Sequence, residues 1–333
     1  MRSFGFRVVP SDPDDKSGVP VAVAGQVMVD VQKIITDIGT SDVRIALRLQ
    51  NEIPNEIKKK FELTIGGSRG SGMSSGPTAG NDDAMEYALT TLCETLDFLG
   101  KGAVGNWLTD KFEDSESRCQ IATDLIELND HLSGYTLEYG IEDEVRRFHN
   151  LDKEKILRYT YSSDWVSGAI GVVVRDSVKK NHWNFTNDKY LIALSFAKNI
   201  VPTDIPSFAK AGPVIVMGEV RRNEDGHIVS IERVKGCYTL PEIKFYRIIT
   251  AKGDRNLLNP LIAIPSYDEE RDLWTLRNET VGMNVSKPSW DECVIAFHDY
   301  AQFLFESYVD TDKEFEGEEK DTSDFLKSLL PVV

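Results

Sequence analysis

Apolar residues at helical spacing predict three helices in the first half of the chain. In each segment hydrophobic positions return every three or four residues and form one stripe, which is the pattern of a helix that packs on a core. Gly39 and Gly100 follow the first two stripes and are typical helix ends. Alternating apolar and polar positions at 43–49 and 61–65 predict short strands. The three predicted helices are 21–38, 81–99 and 116–132.

From about residue 155 the pattern changes to short alternating runs separated by turns. Asp225-Gly226 lies between two of these runs and is a strong signal for a two-residue hairpin, because glycine accepts the positive φ of such turns. Several short strands at regular spacing are typical of a small barrel or sandwich. The runs are 156–161, 168–174, 183–185, 190–196, 214–220, 228–234 and 244–249.

The last part of the chain predicts a β-β-β-α module. Its three strands are expected at 261–265, 272–276 and 281–285, and its helix at 289–308. Ser289 is the expected N-cap of this helix, with two acidic residues in the first turn. Beyond it lies an acidic linker and then a short apolar tail that must pack on another part of the protein, comprising Phe325, Leu326, Leu329 and Leu330.

These patterns together predict an α+β protein with several domains. Its parts are expected to be an N-terminal α+β unit, a β-rich middle that resembles a barrel or sandwich, and the C-terminal β-β-β-α module. The predicted boundaries are an irregular leader at 1–20, the α+β domain at 21–150, the β-rich domain at 151–255, the module at 256–309, and an acidic linker with a short apolar tail helix at 310–333.

Composition supports a folded protein of the cytoplasm. The chain has 333 residues, of which 41% are hydrophobic and 28% charged, and this is ordinary for globular proteins. Its four cysteines are scattered without a CxxC pair, and the first residues lack the apolar region of a signal peptide. No run approaches the roughly 18 apolar residues that a membrane span needs. We therefore expect a cytoplasmic protein that does not associate with membranes.

The net charge of −16 argues against general affinity for nucleic acid, since binding to phosphates requires lysine and arginine. The charge is uneven, however. Residues 1–150 carry a net −10, residues 151–250 a net +4, and residues 251–333 a net −10. Only the middle of the chain could present a basic face.

A Gly/Ser-rich stretch at 66–80 lies between a predicted strand and a predicted helix, where nucleotide-binding proteins cradle phosphate. No lysine follows the glycines, and the acidic residues Asp82 and Asp83 would repel an anion. Arg69 is the one group in the stretch that could bind an anion. A mobile loop is the competing interpretation, and we favour it.

The same stretch contains Gly72-Met-Ser74-Ser-Gly76, a match to the nucleophile elbow of hydrolases. That elbow needs a serine directly between strand and helix, whereas here the predicted strand ends near Ile65 and Pro77 follows. The context of the elbow is therefore missing, and a hydrolase with Ser74 as nucleophile and His131 or His149 as its partner is the last of the alternatives.

Other motifs predict neither a cofactor nor a metal. Gly100-Lys-Gly102-Ala-Val-Gly105 matches the dinucleotide fingerprint but follows a helix instead of a strand. No HxxxH or CxxC pair offers metal ligands, and the acidic runs are expected to be solvated. No constellation names a reaction, so catalysis is not expected.

Basic residues collect in the β-rich middle. Small barrels often bind single-stranded nucleic acid through a positive groove and exposed aromatic rings, and Trp183 lies in the same segment. The competing interpretation, which we favour, is a solvated strand face with Trp183 in the core. The candidate residues are Arg175, Lys179, Lys180, Arg221, Arg222, Arg233 and Lys235.

Residues 260–309 resemble the partial RNase H-like module of HicB-type antitoxins. The similarity lies in an apolar strand, the acidic turn Asp268-Glu-Glu, a strand that contains Gly282, and a helix carrying Glu292 and Ala296. The chain lacks that family's Pro-Gly-Cys-like segment, and no DNA-binding helix pair follows. The resemblance implies a non-catalytic module for protein contacts, often through oligomerisation, and assigns no functional residue.

The sequence thus predicts a non-catalytic interaction or regulatory protein, antitoxin-like or linked to a defence or mobile-element system, which binds a protein partner or itself. Single-stranded nucleic-acid binding through the middle domain is the first alternative, and hydrolysis at the Gly/Ser loop is the second.

Overall fold

The structure is a computed structural model, and it confirms the α+β class. It describes residues 4–51, 53–63, 73–75, 83–100, 107–112, 115–141, 145–148, 151, 153–154, 156, 167–175, 183–188, 191–196, 208, 212–223 and 227–331. The chain forms two compact units. Unit 1 comprises 1–42, 54–164 and 251–253, and unit 2 comprises 43–53, 165–250 and 254–333.

Unit 1 contains an antiparallel four-stranded sheet in the order β2-β1-β3-β4. The longest pairing joins β1 and β3, from Phe4 opposite Ile141 to Pro10 opposite Tyr135. A strand therefore occupies part of the segment for which we predicted an irregular leader, and only residues 11–20 of the described leader lack regular structure. The strands are β1 (Phe4–Pro10), β2 (Met73–Ser75), β3 (Tyr135–Ile141) and β4 (Arg146–Phe148).

Helices supply the rest of the core of unit 1. Their apolar stripes are buried as the spacing predicts, for example at Ile34 and Ile38 of α1 and at Leu92 and Leu96 of α3. The helices are α1 (Val21–Leu47), α2 (Asn55–Lys58) with a following 3-10 turn (Lys59–Phe61), α3 (Asp83–Gly100), α4 (Trp107–Lys111) and α5 (Ser115–His131).

The strand predicted at 43–49 is wrong, because α1 continues to Leu47. Val43 and Leu47 are four residues apart and fully buried, so they extend the helical stripe. Gly39 does not end the helix. Because Gly39 has no side chain, the Phe61 ring can pack directly against the helix backbone. A Cβ at this position would lie 2.2 Å from Cε1 of Phe61.

Of the strand predicted at 61–65, the structure describes residues 61–63, and these do not form a strand. Phe61 ends the 3-10 turn, and residues 62–63 have no regular structure. In the run at 156–161, Ile156 is helical and the remaining residues lie outside the described parts. The Asp225-Gly226 hairpin tip lies outside them too, although the strands on either side of it pair antiparallel as expected.

The middle of the chain, in unit 2, closes into a five-stranded barrel in the order β5-β6-β7-β9-β8. All neighbours are antiparallel except β7 and β9, which are parallel. This makes it a small Greek-key barrel, so the barrel alternative of our prediction is confirmed. The strands are β5 (Ser167–Arg175), β6 (Trp183–Thr186), β7 (Ile192–Phe196), β8 (Val214–Arg222) and β9 (Ile228–Thr239).

Alternate side chains of these strands fill the barrel. Phe185, Val216 and Ile231 are fully buried in its core, and Trp183 packs against them. Gly171 permits the close approach of β6, since a Cβ there would lie 2.3 Å from Cζ of Phe185. Glycine is thus required where β5 and β6 approach each other this closely.

The C-terminal module is a sheet of four strands covered by a helix, one strand more than predicted. Its order is β10-β11-β12-β13 with antiparallel pairing. The added strand, β10, was predicted as part of the β-rich middle. The elements are β10 (Ile243–Ile249), β11 (Asp254–Asp268), β12 (Leu273–Asn278), β13 (Met283–Lys287), α6 (Trp290–Tyr308) and α7 (Gly317–Ser328).

Aromatic side chains join α6 to the inner face of this sheet. The rings of Phe245 and Phe297 lie 5.6 Å apart, and Trp274 meets Trp290 edge-on at 5.0 Å. Ser289 caps α6 as predicted, because its hydroxyl accepts a hydrogen bond from the Glu292 amide at 3.2 Å.

The predicted apolar tail packs on the same module. Leu326 of α7 is fully buried and Leu329 is nearly so. The carbonyl of Leu329 accepts hydrogen bonds from the amides of Leu258 (2.7 Å) and Asn259 (3.3 Å), where β11 bulges away from β10. Within the described residues, no helix has the length and apolar character that crossing a membrane requires.

Candidate functional site

Arg221, Arg233 and Lys235 lie on the exposed surface of β8 and β9. The register between these strands shifts here, and residues 233–235 bulge out opposite Gly218. Arg233 adopts a positive φ of 47°, which turns its side chain away from the regular alternation of the strand. The bulge thus gathers three of the predicted nucleic-acid-binding residues in one region.

Acidic neighbours balance much of this positive charge. Nη1 of Arg233 lies 2.9 Å from Oε1 of Glu219, and Nη2 of Arg221 lies 3.8 Å from Oε2 of Glu232 and 4.0 Å from Oε2 of Glu219. Lys235 is exposed. The region therefore combines three cations with two acids, and its attraction for phosphate is correspondingly small.

The other predicted basic residues cannot be assigned to this exposed region. Arg222 ends β8 and donates a hydrogen bond to the carbonyl of Gln50, so this guanidinium contacts the protein interior. Arg175 ends β5, opposite Trp183 of β6, but its side chain is outside the described parts. Arg69, Lys179 and Lys180 are also outside the residues that the structure describes.

Ser74 lies within a strand instead of a sharp turn. It is the middle residue of β2 and pairs with Gly5 of β1. A nucleophile elbow needs the serine at the junction of strand and helix, where its hydroxyl is exposed. Of the two histidines proposed as its partners, His131 pairs with Asp30 at 2.7 Å, and His149 is outside the described residues.

An aromatic ring lies flat on the outside of the barrel, close to the bulge. Tyr238 of β9 is 61% exposed, and a Cβ on Gly236 would come within 2.8 Å of its hydroxyl oxygen and 2.9 Å of the ring atom Cε2. Ile215 pairs with Tyr238 and Met217 with Gly236, so both strands present apolar side chains here. This surface could stack against a planar group.

A cleft of about 370 Å³ lies beside the outer face of β6. Three carboxylates line it, and the Tyr267 hydroxyl donates to one of them, Asp272. Burial and this hydrogen bond raise the pKa of Tyr267. So acidic a lining favours cations over phosphates. The lining residues are Val174, Thr186, Asp188, Leu191, Tyr267, Glu269 and Asp272.

The position of the cleft bears on nucleic-acid binding because of the topology of the barrel. In five-stranded Greek-key barrels of the OB type, the face of strands 2 and 3 and the loops 1–2 and 4–5 bind oligonucleotides or oligosaccharides. The corresponding strands here are β6 and β7, and the cleft places acids beside that face. Much of loop 1–2, including Lys179 and Lys180, is outside the described residues.

The outer face of the C-terminal sheet exposes a group of large apolar side chains, which we name the outer stripe: Tyr246, Leu258, Ile262 and Ile264. Tyr246 is 57% exposed on β10, and Ile262 is the cross-strand neighbour of Lys244. Ile264 pairs with Arg277 of β12. The opposite face of the sheet packs on α6, so the stripe lies on the side away from that helix.

Sequence reasoning did not identify the outer stripe. Its signal is the run Leu261-Ile262-Ala263-Ile264, which has apolar residues on both sides of a strand. A strand with one solvated face usually alternates apolar and polar residues, whereas a run apolar on both sides indicates that both faces are covered.

Across the ranges that the structure describes, no group of three or more histidine, cysteine or acidic side chains could hold a metal ion. Comparison with family models, curated proteins and solved structures finds no match to this chain.

Proposed function

We propose that this protein is a non-catalytic binding protein and that the outer stripe of its C-terminal sheet engages a protein partner or a second copy of the chain. The observation that carries this proposal is the exposure of four large apolar side chains on two neighbouring strands. Contiguous exposed apolar surface with polar neighbours is typical of interaction sites.

The pattern of charges around the stripe also supports protein binding. Lys244, which lies 3.1 Å from Glu242, and Arg277 flank the isoleucines, so the apolar centre has a polar border. Apolar centres with polar rims are usual in protein interfaces. β10, which carries Tyr246, lies at an edge of the described sheet, where further backbone pairing can occur.

The resemblance of residues 260–309 to HicB-type modules agrees with this proposal, since it implies protein contacts without catalysis. We therefore include in the proposal that the protein acts as an antitoxin-like protein or in a defence or mobile-element system. Its cytoplasmic location is part of the same proposal.

The test compares Ile262→Glu/Ile264→Glu with the control Asn284→Glu/Ser286→Glu. The control residues are exposed on β13 and project from the same face as the stripe. Sedimentation velocity over a range of concentrations measures self-association, and affinity capture from the native host measures binding to another protein. Urea unfolding verifies that both variants remain folded.

We expect the isoleucine variant to lose the assembly or the stoichiometric partner that the wild type and the control retain. A wild-type protein that stays monomeric and captures no stoichiometric partner contradicts the proposal. Equal retention of the partner by both variants contradicts the assignment to the outer stripe.

A second candidate function is binding of single-stranded nucleic acid at the β9 bulge. It is favoured by the exposed Tyr238 ring on β9, the strand that also exposes Arg233 and Lys235, since aromatic stacking and positive charge together bind single strands. Fluorescence anisotropy with a labelled oligonucleotide at about 50 mM and about 200 mM salt tests it.

Wild-type binding should weaken steeply with salt, and Arg233→Glu/Lys235→Glu should abolish it. Tyr238→Ala should weaken binding while Tyr238→Phe preserves it, because phenylalanine keeps the stacking ring. Absent or salt-independent binding excludes this function. Arg222 is unsuitable for this test because it contacts the interior.

A further inference from the structure

The side of α6 that points away from the sheet exposes two aromatic rings. Phe303 is 56% exposed and Tyr300 is 36% exposed, and their rings lie nearly parallel with centroids 6.2 Å apart. The other side of the helix is buried, for example at Phe297 and Leu304. Helical positions three, four or seven residues apart lie on the same side, so the exposed residues form one surface. We name this surface the α6 face: Glu292, Asp299, Tyr300, Phe303 and Glu306.

The α6 face is acidic. Three of its five residues are carboxylates, and the helix from Trp290 to Tyr308 contains no lysine or arginine. The remaining acid of the helix, Asp291, is buried and adds nothing to the surface. The two exposed rings therefore have a negatively charged border.

The outer stripe has a border of the opposite charge. Lys244 is the cross-strand neighbour of Ile262, and Arg277 is the cross-strand neighbour of Ile264. Lys244 also lies 3.1 Å from Glu242, so two cations and one acid leave the border beside the isoleucines net positive. One side of the sheet thus exposes apolar groups among cations, and α6, on the other side, exposes aromatic rings among carboxylates.

These charges decide how two copies of the chain can meet. Contact of stripe with stripe opposes cation to cation, and contact of α6 face with α6 face opposes carboxylate to carboxylate. Like charges that face each other across an interface cost free energy. Contact of a stripe with an α6 face instead opposes Arg277 and Lys244 to carboxylates and removes the apolar groups of both surfaces from water.

We propose that the occupant of the outer stripe is the α6 face of a second copy of this chain, so that copies assemble head to tail. This inference rests on the function proposed for the stripe and names its partner. Because the stripe and the α6 face lie on opposite sides of one sheet, two copies share one such contact and each keeps one surface open. Further copies can then add, and contacts of this heterologous kind generate rings or filaments.

The test uses full-length variants that each disrupt one of the two surfaces. Ile262→Glu/Ile264→Glu disrupts the stripe, and Phe303→Lys places a cation in the middle of the α6 face. Glu318→Gln is the control, because it changes the net charge by the same amount as Phe303→Lys at an exposed position of α7. Sedimentation velocity measures the mass of each protein alone and of an equimolar mixture of the two surface variants.

We expect the wild type and the control to form assemblies that grow beyond the dimer as concentration rises. Each surface variant alone should remain monomeric. Their mixture should form a dimer, with twice the monomer mass, that does not grow further, because it combines one intact stripe with one intact α6 face. Circular dichroism verifies the fold of each variant before mixing, and Tyr300→Ala/Phe303→Ala replaces Phe303→Lys if the lysine variant is unfolded.

A Phe303→Lys variant that assembles like the wild type overturns the inference, and so does a mixture of folded variants that stays monomeric. In both cases the function proposed for the stripe stands if Ile262→Glu/Ile264→Glu alone loses the assembly. A wild-type protein that stays monomeric also overturns the inference. The proposed function then stands only if the wild type captures a stoichiometric partner from its host that the isoleucine variant does not, so the two failures are distinguishable.

Discussion

Nδ1 of His131 lies 2.7 Å from Oδ2 of Asp30, and this pair joins α5 to α1. Further along the two helices, Nζ of Lys33 lies 2.5 Å from Oδ1 of Asp124. The residue numbers of the partners fall along α5 as they rise along α1, which is expected for antiparallel helices. We call this row of polar contacts the α1–α5 seam, and its residues are Asp30, Lys33, Asp37, Gln120, Asp124, Glu127 and His131.

The first prediction concerns the end of the seam. His131→Ala removes a partner of the nearly buried Asp30 carboxylate, so it should lower the free energy of unfolding of unit 1 by about 1 to 3 kcal/mol. Urea unfolding followed by circular dichroism measures the change. Glu56→Ala, at an exposed position of α2, should stay within about 0.5 kcal/mol of the wild type. Equal stability of the two variants contradicts the role of the pair.

The second prediction is a pH dependence that arises from Asp37. Burial and the neighbouring Asp124 carboxyl raise its pKa to about 8. Because the folded-state pKa exceeds that of the unfolded chain, this group's stabilising contribution is complete below about pH 4 and is lost as the pH rises through about 8. The free energy of unfolding of unit 1 should therefore fall between about pH 4 and about pH 8, by at most about 1.4 kcal/mol per pH unit for this proton, and level off above that range.

Asp37→Asn should flatten this part of the stability profile in urea unfolding at a series of pH values. Asp14→Asn removes an equal charge at an exposed position and should leave the slope unchanged. A slope that persists in Asp37→Asn assigns the effect to another group.

The third prediction concerns the tight approach of β5 and β6. Gly171→Ala would place a Cβ 2.3 Å from Cζ of Phe185 and 2.5 Å from the Thr186 carbonyl oxygen, so one of the strands must shift. We expect destabilisation of unit 2 by about 1 to 3 kcal/mol. Gly253→Ala, which meets open space, is the control and should be nearly neutral. Thermal unfolding of both variants checks this difference.

The fourth prediction concerns the C-terminal tail. Leu326→Ala removes a fully buried side chain and should lower the stability of unit 2 by about 2 to 5 kcal/mol. Leu330→Ala, at a half-buried position, should cost clearly less. Limited proteolysis should release the tail of Leu326→Ala faster than that of Leu330→Ala. Similar release from both variants would show that Leu326 does not hold α7 in place.

Local patterns were sufficient for the helices and for most strands. The stripes of α3 and α5 match the described helices to within about two residues, because a helix that buries one face needs apolar residues every three or four positions. The Ser289 cap was predictable for the same local reason. The segment 43–49 was misassigned because apolar residues at 43, 45 and 47 alternate as in a strand, while Val43 and Leu47 also fit a helix.

Of the candidate site, the sequence located the basic residues but not their neighbours in space. Arg233 faces Glu219 only because β8 and β9 pair across a bulge. The outer stripe needed the sheet pairing to show which side of β11 is covered by α6. The sequence already indicated that Ser74 lacks the context of a nucleophile elbow, and only the structure showed that it lies in β2, paired with β1.

The sequence by itself determined the α+β class, the principal helices and strands, the capped final helix and the uneven charge, since each depends on residues close together in the chain. Tertiary structure alone decided that β7 and β9 close the barrel in parallel and that β10 joins the last sheet. It also brought Asp291 to the amides of Gln50 and Asn51. These contacts join residues far apart in the chain, and their free energy depends on burial and partners that no local pattern records.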